Sequence, residues 1–255
     1  MSDLSESSEY DWLTIDTALD AIVGMAVALG ETFSELWKIF EKQLYKYASG
    51  SENYERITSV GVIAECIRAM GPTVTPSTTP LLKILLHRLS DEDAEVKSNA
   101  AFALGLLQES SSSEAEILKT FNPILSKLEP MLHMDVARAK DNAAGCVARM
   151  ILRHEDHVPI QAVLPALVQI LPLREDYEEN EPVWKMILKL YQTQNGTMQA
   201  QTGALVPVLA QVLGPPEEQL KEGTRAEVLE LVKYIGSKNP ELVKRNEVLA
   251  SAVSG

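Results

Sequence analysis

Apolar residues return along this chain with the spacing of a helix face. Ile124, Leu125, Leu128, Met131 and Leu132 occupy positions i, i+1, i+4, i+7 and i+8, and Val206, Leu209, Val212 and Leu213 keep a similar register. The pattern also repeats in blocks. Pro80-Leu81-Leu82-Lys83-Ile84-Leu85, Pro123-Ile124-Leu125-Ser126-Lys127-Leu128, Pro165-Ala166-Leu167-Val168-Gln169-Ile170 and Pro207-Val208-Leu209-Ala210-Gln211-Val212 begin at intervals of 43, 42 and 42 residues. Leu36-Trp37-Lys38-Ile39-Phe40 reads as an earlier copy without the proline. A second set interleaves with the first. Lys97 to Gly105 aligns with Lys140 to Ala148 at an offset of 43, and Arg56 to Ala64 is a looser copy 41 residues upstream. This second set keeps small residues in register, Ala101 with Ala144 and Gly105 with Ala148, which lets neighbouring helices approach closely.

Two helices per block of about 42 residues is the HEAT or armadillo period, and the blocks leave no room for the third helix of an armadillo unit. The predicted fold is all-α, a right-handed α-solenoid of HEAT-type helical hairpins. Helix pairs are expected near 32–71, 73–108, 114–153, 158–195 and 197–236, with a terminal helix near 240–253 capping the stack. Residues 11–255 form one solenoid in this reading, and residues 1–10 are a flexible acidic remainder. The helix over 11–30 has no mate before it. That predicts an exposed apolar face and a piece cut from a longer solenoid, with polar Glu241, Lys244, Arg245 and Glu247 covering the last layer. Thr32-x-x-Glu35, Ser113-x-x-Glu116 and Thr224-x-x-Glu227 read as capping boxes. Gly30, Gly71, Gly214 and Gly236 stand where left-handed C-caps belong, and Asn239-Pro240 opens the last helix.

Charge narrows the partners. Asp and Glu number 36 against 23 Lys and Arg, a net charge of −13, which argues against direct nucleic-acid binding and for a basic protein partner. Cys66 and Cys146 cannot staple a chain of 255 residues and read as reduced thiols. Met1 to Asp11 carries acids and no base, the opposite of a signal peptide, and the apolar stretch Ala18–Leu29 is too short to span a bilayer. Asn195-Gly196-Thr197 reads as an inter-helix loop.

Enzyme constellations are missing. There is no P-loop, dinucleotide-binding glycine pattern, Cys-x-x-Cys or Gly-x-Ser-x-Gly, so neither catalysis nor a cofactor is expected. His154-Glu155-Asp156-His157 reads as a polar loop, with too few ligands for a metal site. The segment Arg174-Glu175-Asp176-Tyr177-Glu178-Glu179-Asn180-Glu181 is more informative. Carboxylates at a helix start complement its dipole, but five acids exceed what capping requires. Asp176, Glu178, Glu179 and Glu181 are therefore candidates for gripping Lys or Arg side chains. Asn99 and Asn142 occupy the same place in successive second helices, where Asn is a poor helix former. Either they tie one repeat to the next, or their amides hold an extended peptide backbone. Trp184 either packs in the core or flanks a lysine stem at the acidic segment.

These residues carry a family resemblance. Leu13-Thr14-Ile15-Asp16-Thr17-Ala18-Leu19-Asp20, Leu89-Ser90-Asp91-Glu92-Asp93 with Ser98-Asn99-Ala100-Ala101, Asp141-Asn142-Ala143-Ala144-Gly145, and Glu178-Glu179 before the Trp184 helix resemble the C-terminal repeats of importin-4-type receptors, karyopherins of the importin-β superfamily. The resemblance runs from about Tyr10 to Val253, in a spelling closest to fungal members. It implies a nuclear import receptor that shuttles between cytoplasm and nucleus with basic cargo such as core histone tails or ribosomal proteins. It implies nuclear pore proteins as partners, and Ran GTPase bound mainly by N-terminal repeats absent here. It places Asn99, Asn142, Glu178 and Glu179 on an inner strip, where carboxylates pair with lysines and amides hold the cargo backbone. Nucleic acid and membrane are not implied. A HEAT scaffold or adaptor for folded partners is the rival reading.

Overall fold

The structure, a computed structural model, describes residues 3–214 and 219–254. Among the described residues there is no strand, and the chain is an all-α helical repeat. It divides into two compact units, Met1–Lys127 and Leu128–Gly255. The repeat period gives no warning of this boundary, which falls inside a helix.

The first unit holds α1 (Asp3–Leu29), α2 (Ser34–Tyr47), α3 (Asn53–Met70), α4 (Thr78–Arg88), α5 (Ala94–Ser110) and the short α6 (Glu114–Lys119). Helix α7 (Phe121–Met131) carries the boundary. Hairpins α2–α3 and α4–α5 fall where the 42-residue period places them. Their second helices stack, α3 on α5, and α1 packs on α3. Helix α1 begins at Asp3, so most of the segment read as an acidic remainder is helical, while Met1 and Ser2 lie outside the described residues.

Core formation follows the apolar stripes. Phe33, Trp37, Leu44, Ile63, Ile67, Leu81, Leu85 and Leu104 are fully buried, and each large side chain contributes roughly 1.5–3 kcal/mol. The run Trp12–Tyr47 is long and apolar enough to cross a membrane, with mean hydropathy 1.6. Gly30 breaks the run with left-handed backbone (φ 56°); beyond the break Phe33, Trp37 and Leu44 are buried in the hairpin, whereas only 11% of the apolar window is buried. Leu13 and Val27 on α1 remain 62% and 68% exposed, so this face meets no other helix within the unit.

The second unit holds α8 (Ala137–His154), α9 (Ile160–Ile170), α10 (Asn180–Gln192), α11 (Gly196–Ala200), α12 (Thr202–Leu213), α13 (Glu222–Lys238), α14 (Pro240–Lys244) and α15 (Glu247–Ser254). Second helices again stack on second helices, α8 on α10 and α10 on α13, while α15 packs on α12 and α13.

Helix ends depart from the sequence reading in instructive places. None of the three expected capping boxes forms. Thr32 donates to the Leu29 carbonyl within a 3-10 turn, Ser113 makes no side-chain cap, and Thr224 lies inside α13. The caps come from residues that begin a helix after extended or turn backbone. Asp93 accepts from the Glu95 and Val96 amides, Asn195 from Thr197 and Met198, and Asn246 from Val248 and Leu249. Gly30 and Gly71 are left-handed C-caps, whereas Gly214 is extended and Gly236 is inside α13. The first helix expected from residue 114 is broken into α6 and α7. A proline ring clashes with the carbonyl four residues back, and Pro123 points that clash at Lys119, the last residue of α6.

Candidate functional site

Helix α8 and the acidic segment that follows α9 are built against each other. Leu171 and Leu173 anchor the segment in the core. The chain then curls so that the amides of Arg174, Glu175 and Asp176 all donate to one oxygen of buried Asp141, at 3.0, 2.8 and 2.9 Å. Burial raises the Asp141 carboxyl above its ordinary range, although the three amides pull the other way. Glu175 accepts from the Arg138 amide at 3.1 Å, and the Arg138 guanidinium stands 3.8 Å from Asp176. Two of the acids thus help fix the loop on the start of α8.

Glu179 turns inward. Its side chain is wholly buried and forms a two-pronged ion pair with Arg149 of α8, one contact being Nη2 to Oε1 at 3.0 Å. The carboxylate lies across Gly145, where a Cβ would stand 1.3 Å from Oε2. Only a residue without a side chain leaves that path open. The proposed role of Glu179 in gripping a partner's lysine is therefore corrected. It is spent on a buried internal pair, and exposing it would strand Arg149 without its partner.

The neighbouring residues divide in the same way. Asn180, the first residue of α10, donates to the Gln219 carbonyl at 2.7 Å and accepts from the Trp184 indole at 3.2 Å. Trp184 is 1% exposed and belongs to the core, so it does not flank an incoming lysine stem. Asn142 is buried as well. Asn99, in the first unit, donates to the Ile57 carbonyl at 3.1 Å and links α5 to α3. This bond is the inter-repeat tie expected of Asn99. Of the expected site residues, Glu178 is exposed, Asp176 is half-buried, and Glu181 is half-buried and paired with Lys185 at 2.7 Å, a bond that holds its carboxyl below the usual range.

The structure adds two carboxylates that sequence reasoning left out. Glu227 of α13 stands near the Glu181–Lys185 pair of α10, and Glu230 follows it one turn on. One oxygen of Glu227 is out of solvent with no hydrogen-bond partner. Burial raises its carboxyl, Lys185 opposes the rise, and the charges of Glu181 and Glu230 add to it. Gln192 of α10 reaches Glu230 at 3.4 Å. Lys185 opposes the charge of Glu227, while Glu181 also has Lys221 and Arg149 acting on it, so an incoming cation would chiefly relieve Glu227. The signal is Glu227-x-x-Glu230, a like-charged i, i+3 pair, which the capping-box reading of Thr224-x-x-Glu227 masks.

Burial pushes both thiols, Cys66 and Cys146, up to about 12. Among the described residues no group of three His, Cys, Asp or Glu side chains could hold a metal ion.

No protein-family model matches the chain. Over 239 residues, 93% of its length, it is 38% identical to the probable importin subunit beta-4 of Schizosaccharomyces pombe. The chain is of the importin-4 type. Importin-4 of Homo sapiens is 29% identical and that of Mus musculus 28% identical, each over 237 residues. The chain spans about a fifth (22%) of the length of these relatives. A crystallised engineered protein superposes with a TM-score of 0.59 over 83% of this chain and 87% of its own, at 18% identity, a likeness of fold alone. In this importin-4-type chain, exposed Glu230 and half-buried Glu227 lie on α13, half-buried Glu181 on α10 and exposed Glu178 in the turn before α10.

Proposed function

We propose that this chain is a cargo-binding part of a nuclear import receptor, and that the second-helix face of its second unit takes basic segments such as histone tails or ribosomal-protein extensions. The observation that carries the reading is the orphaned Glu227 oxygen beside Glu181 and Glu230. A lysine ammonium entering this cluster would give Glu227 the partner it lacks and offset the repulsion among the three carboxylates. Exposed Glu178, at the mouth of the acidic turn, would take a second cation. The net charge of −13 would draw a basic tail toward this face and make association salt-sensitive. Within the receptor the chain would shuttle between cytoplasm and nucleus. Release by Ran and contact with nuclear pore proteins would involve the rest of the receptor, Ran mainly through N-terminal repeats.

The test is titration of the full chain with a labelled, unmodified histone-tail peptide across a salt series, repeated with the lysine-acetylated peptide. Glu227→Gln with Glu230→Gln, and separately Glu178→Ala, should each weaken binding about two- to tenfold and flatten the salt dependence, and acetylation should do the same. Binding that ignores salt, acetylation and both sets of substitutions would overturn the reading.

A further inference from the structure

We propose that a pit at the C-terminal ends of α10 and α13 binds an extended, acidic peptide segment, a second docking site of opposite preference to the acidic face. The pit encloses about 290 Å³, the small end of the range for ligand sites and room for a side chain or two rather than a large molecule. Tyr191 and Ile235 form its floor and Tyr234 a wall, the two rings meeting edge to face at 6.1 Å. Thr202 donates to the Gln199 carbonyl at 2.6 Å, so in its 2.7 Å contact with Tyr191 the tyrosine is the donor. The rim is Gln194, Gln199, Lys238 and Asn239.

Three features of this rim select the ligand. The first is charge. In a chain of net charge −13 no carboxylate lines the pit, and its one cation, Lys238, forms no ion pair among the described residues. The second is the set of three carboxamides, each offering a donor and an acceptor, the pairing an extended peptide backbone requires. The third is Gln194. It closes α10 as a left-handed C-cap with φ 57°, its amide bonded to the Tyr191 carbonyl at 3.0 Å and the next amide to Leu190 at 2.9 Å. Glycine holds this position without strain, whereas Gln194 adopts it at a backbone cost and lines the pit. Backbone amides of the ligand would meet the carboxamides, a small apolar side chain would sit between the tyrosine rings and Ile235, and a flanking Asp or Glu would reach Lys238.

Gln194→Gly makes the test clean, because it relieves the left-handed strain while removing the rim amide. A fluorescein-labelled peptide rich in Asp and Leu, and versions with Asn or Lys in place of every Asp, would be titrated into the full chain by polarisation. Saturable binding of the Asp peptide is expected, with the Asn version weaker and the Lys version weaker still. Lys238→Glu should cost about two- to fivefold. Gln194→Gly should weaken binding while the urea midpoint holds or rises, and Glu178→Ala should change nothing. Absence of saturable binding, equal binding of the Lys peptide, or parent-like affinity in both rim variants would overturn the proposal.

Discussion

Gly145→Ala is the substitution whose outcome the geometry fixes most tightly. In an exposed helix the change would stabilise by about 1 kcal/mol, because alanine is the better helix former. Here the added Cβ would lie 1.3 Å from Glu179 Oε2, 2.3 Å from Cδ and 3.0 Å from Arg149 Nη1. Glutamate is flexible and could swing aside, but its carboxylate is buried and joined to Arg149 by two contacts, and Arg149 is itself only 7% exposed. Moving it breaks a buried ion pair and strands a guanidinium, at about 3–5 kcal/mol. Set against the helix gain, the net loss is about 2–4 kcal/mol. The assay is urea unfolding followed by circular dichroism, with hydrogen exchange across α8 and α10 as a local readout, since a repeat protein need not unfold in one step. The control is the same substitution in a Glu179→Ala background. With the carboxylate gone, Gly145→Ala should become stabilising by about 1 kcal/mol. A neutral or stabilising effect in the parent chain, or equal effects in the two backgrounds, would refute the reasoning.

The first unit supplies two further tests. Burial opposes ionisation of Asp91, but hydrogen bonds from Arg56 and the Asp93 amide, with the charges of Arg56 and Arg88, hold its carboxyl below the usual range. A depressed carboxyl pKa gives stability that is present above the unfolded value near about 4 and lost as pH falls through the folded one. Asp91→Asn should therefore lower the urea midpoint at pH 7 and make its decline below about pH 4 shallower, and parallel parent and variant curves would count against the clamp. Asn99→Ala removes the bond to the Ile57 carbonyl and should cost about 1 kcal/mol, with faster exchange where α3 meets α5 and unchanged binding of a basic peptide. Loss of peptide binding without loss of stability would restore the peptide-holding role to Asn99.

What the sequence made legible was whatever repeats locally. The 42-residue period located hairpins such as α2–α3 and α4–α5, because each first helix declares its apolar stripe within a dozen residues and each second helix its small ones. Pairing between hairpins is a different kind of information. Arg149 meets Glu179 across 30 residues, Asp141 meets the acidic loop across 33 to 35, and Arg56 meets Asp91 across 35. At those separations no local periodicity joins the partners, so Glu179 read as a free acid and Asp141 was passed over. One residue did betray such a pair. The repeat alignment sets Gly145 opposite Phe102, and a glycine in mid-helix, about 1 kcal/mol worse than alanine, needs a close approach to explain it. The same logic reaches the acids that remain. Glu227 is repelled by Glu230 along one face of α13 and by Glu181 of α10, an arrangement that costs stability and that burial of Glu227 makes worse. Capping cannot account for it, because Glu227 lies a full turn inside the helix. Internal pairing accounts for only part, because Lys185 is bonded to Glu181, Lys221 also acts on Glu181, and one Glu227 oxygen still has no partner. A fold that spent Glu179 on Arg149 and Asp91 on two arginines had the means to neutralise this cluster too. Its leaving the surplus in place is the physical reason to look there, rather than at Glu179, for a lysine supplied from outside.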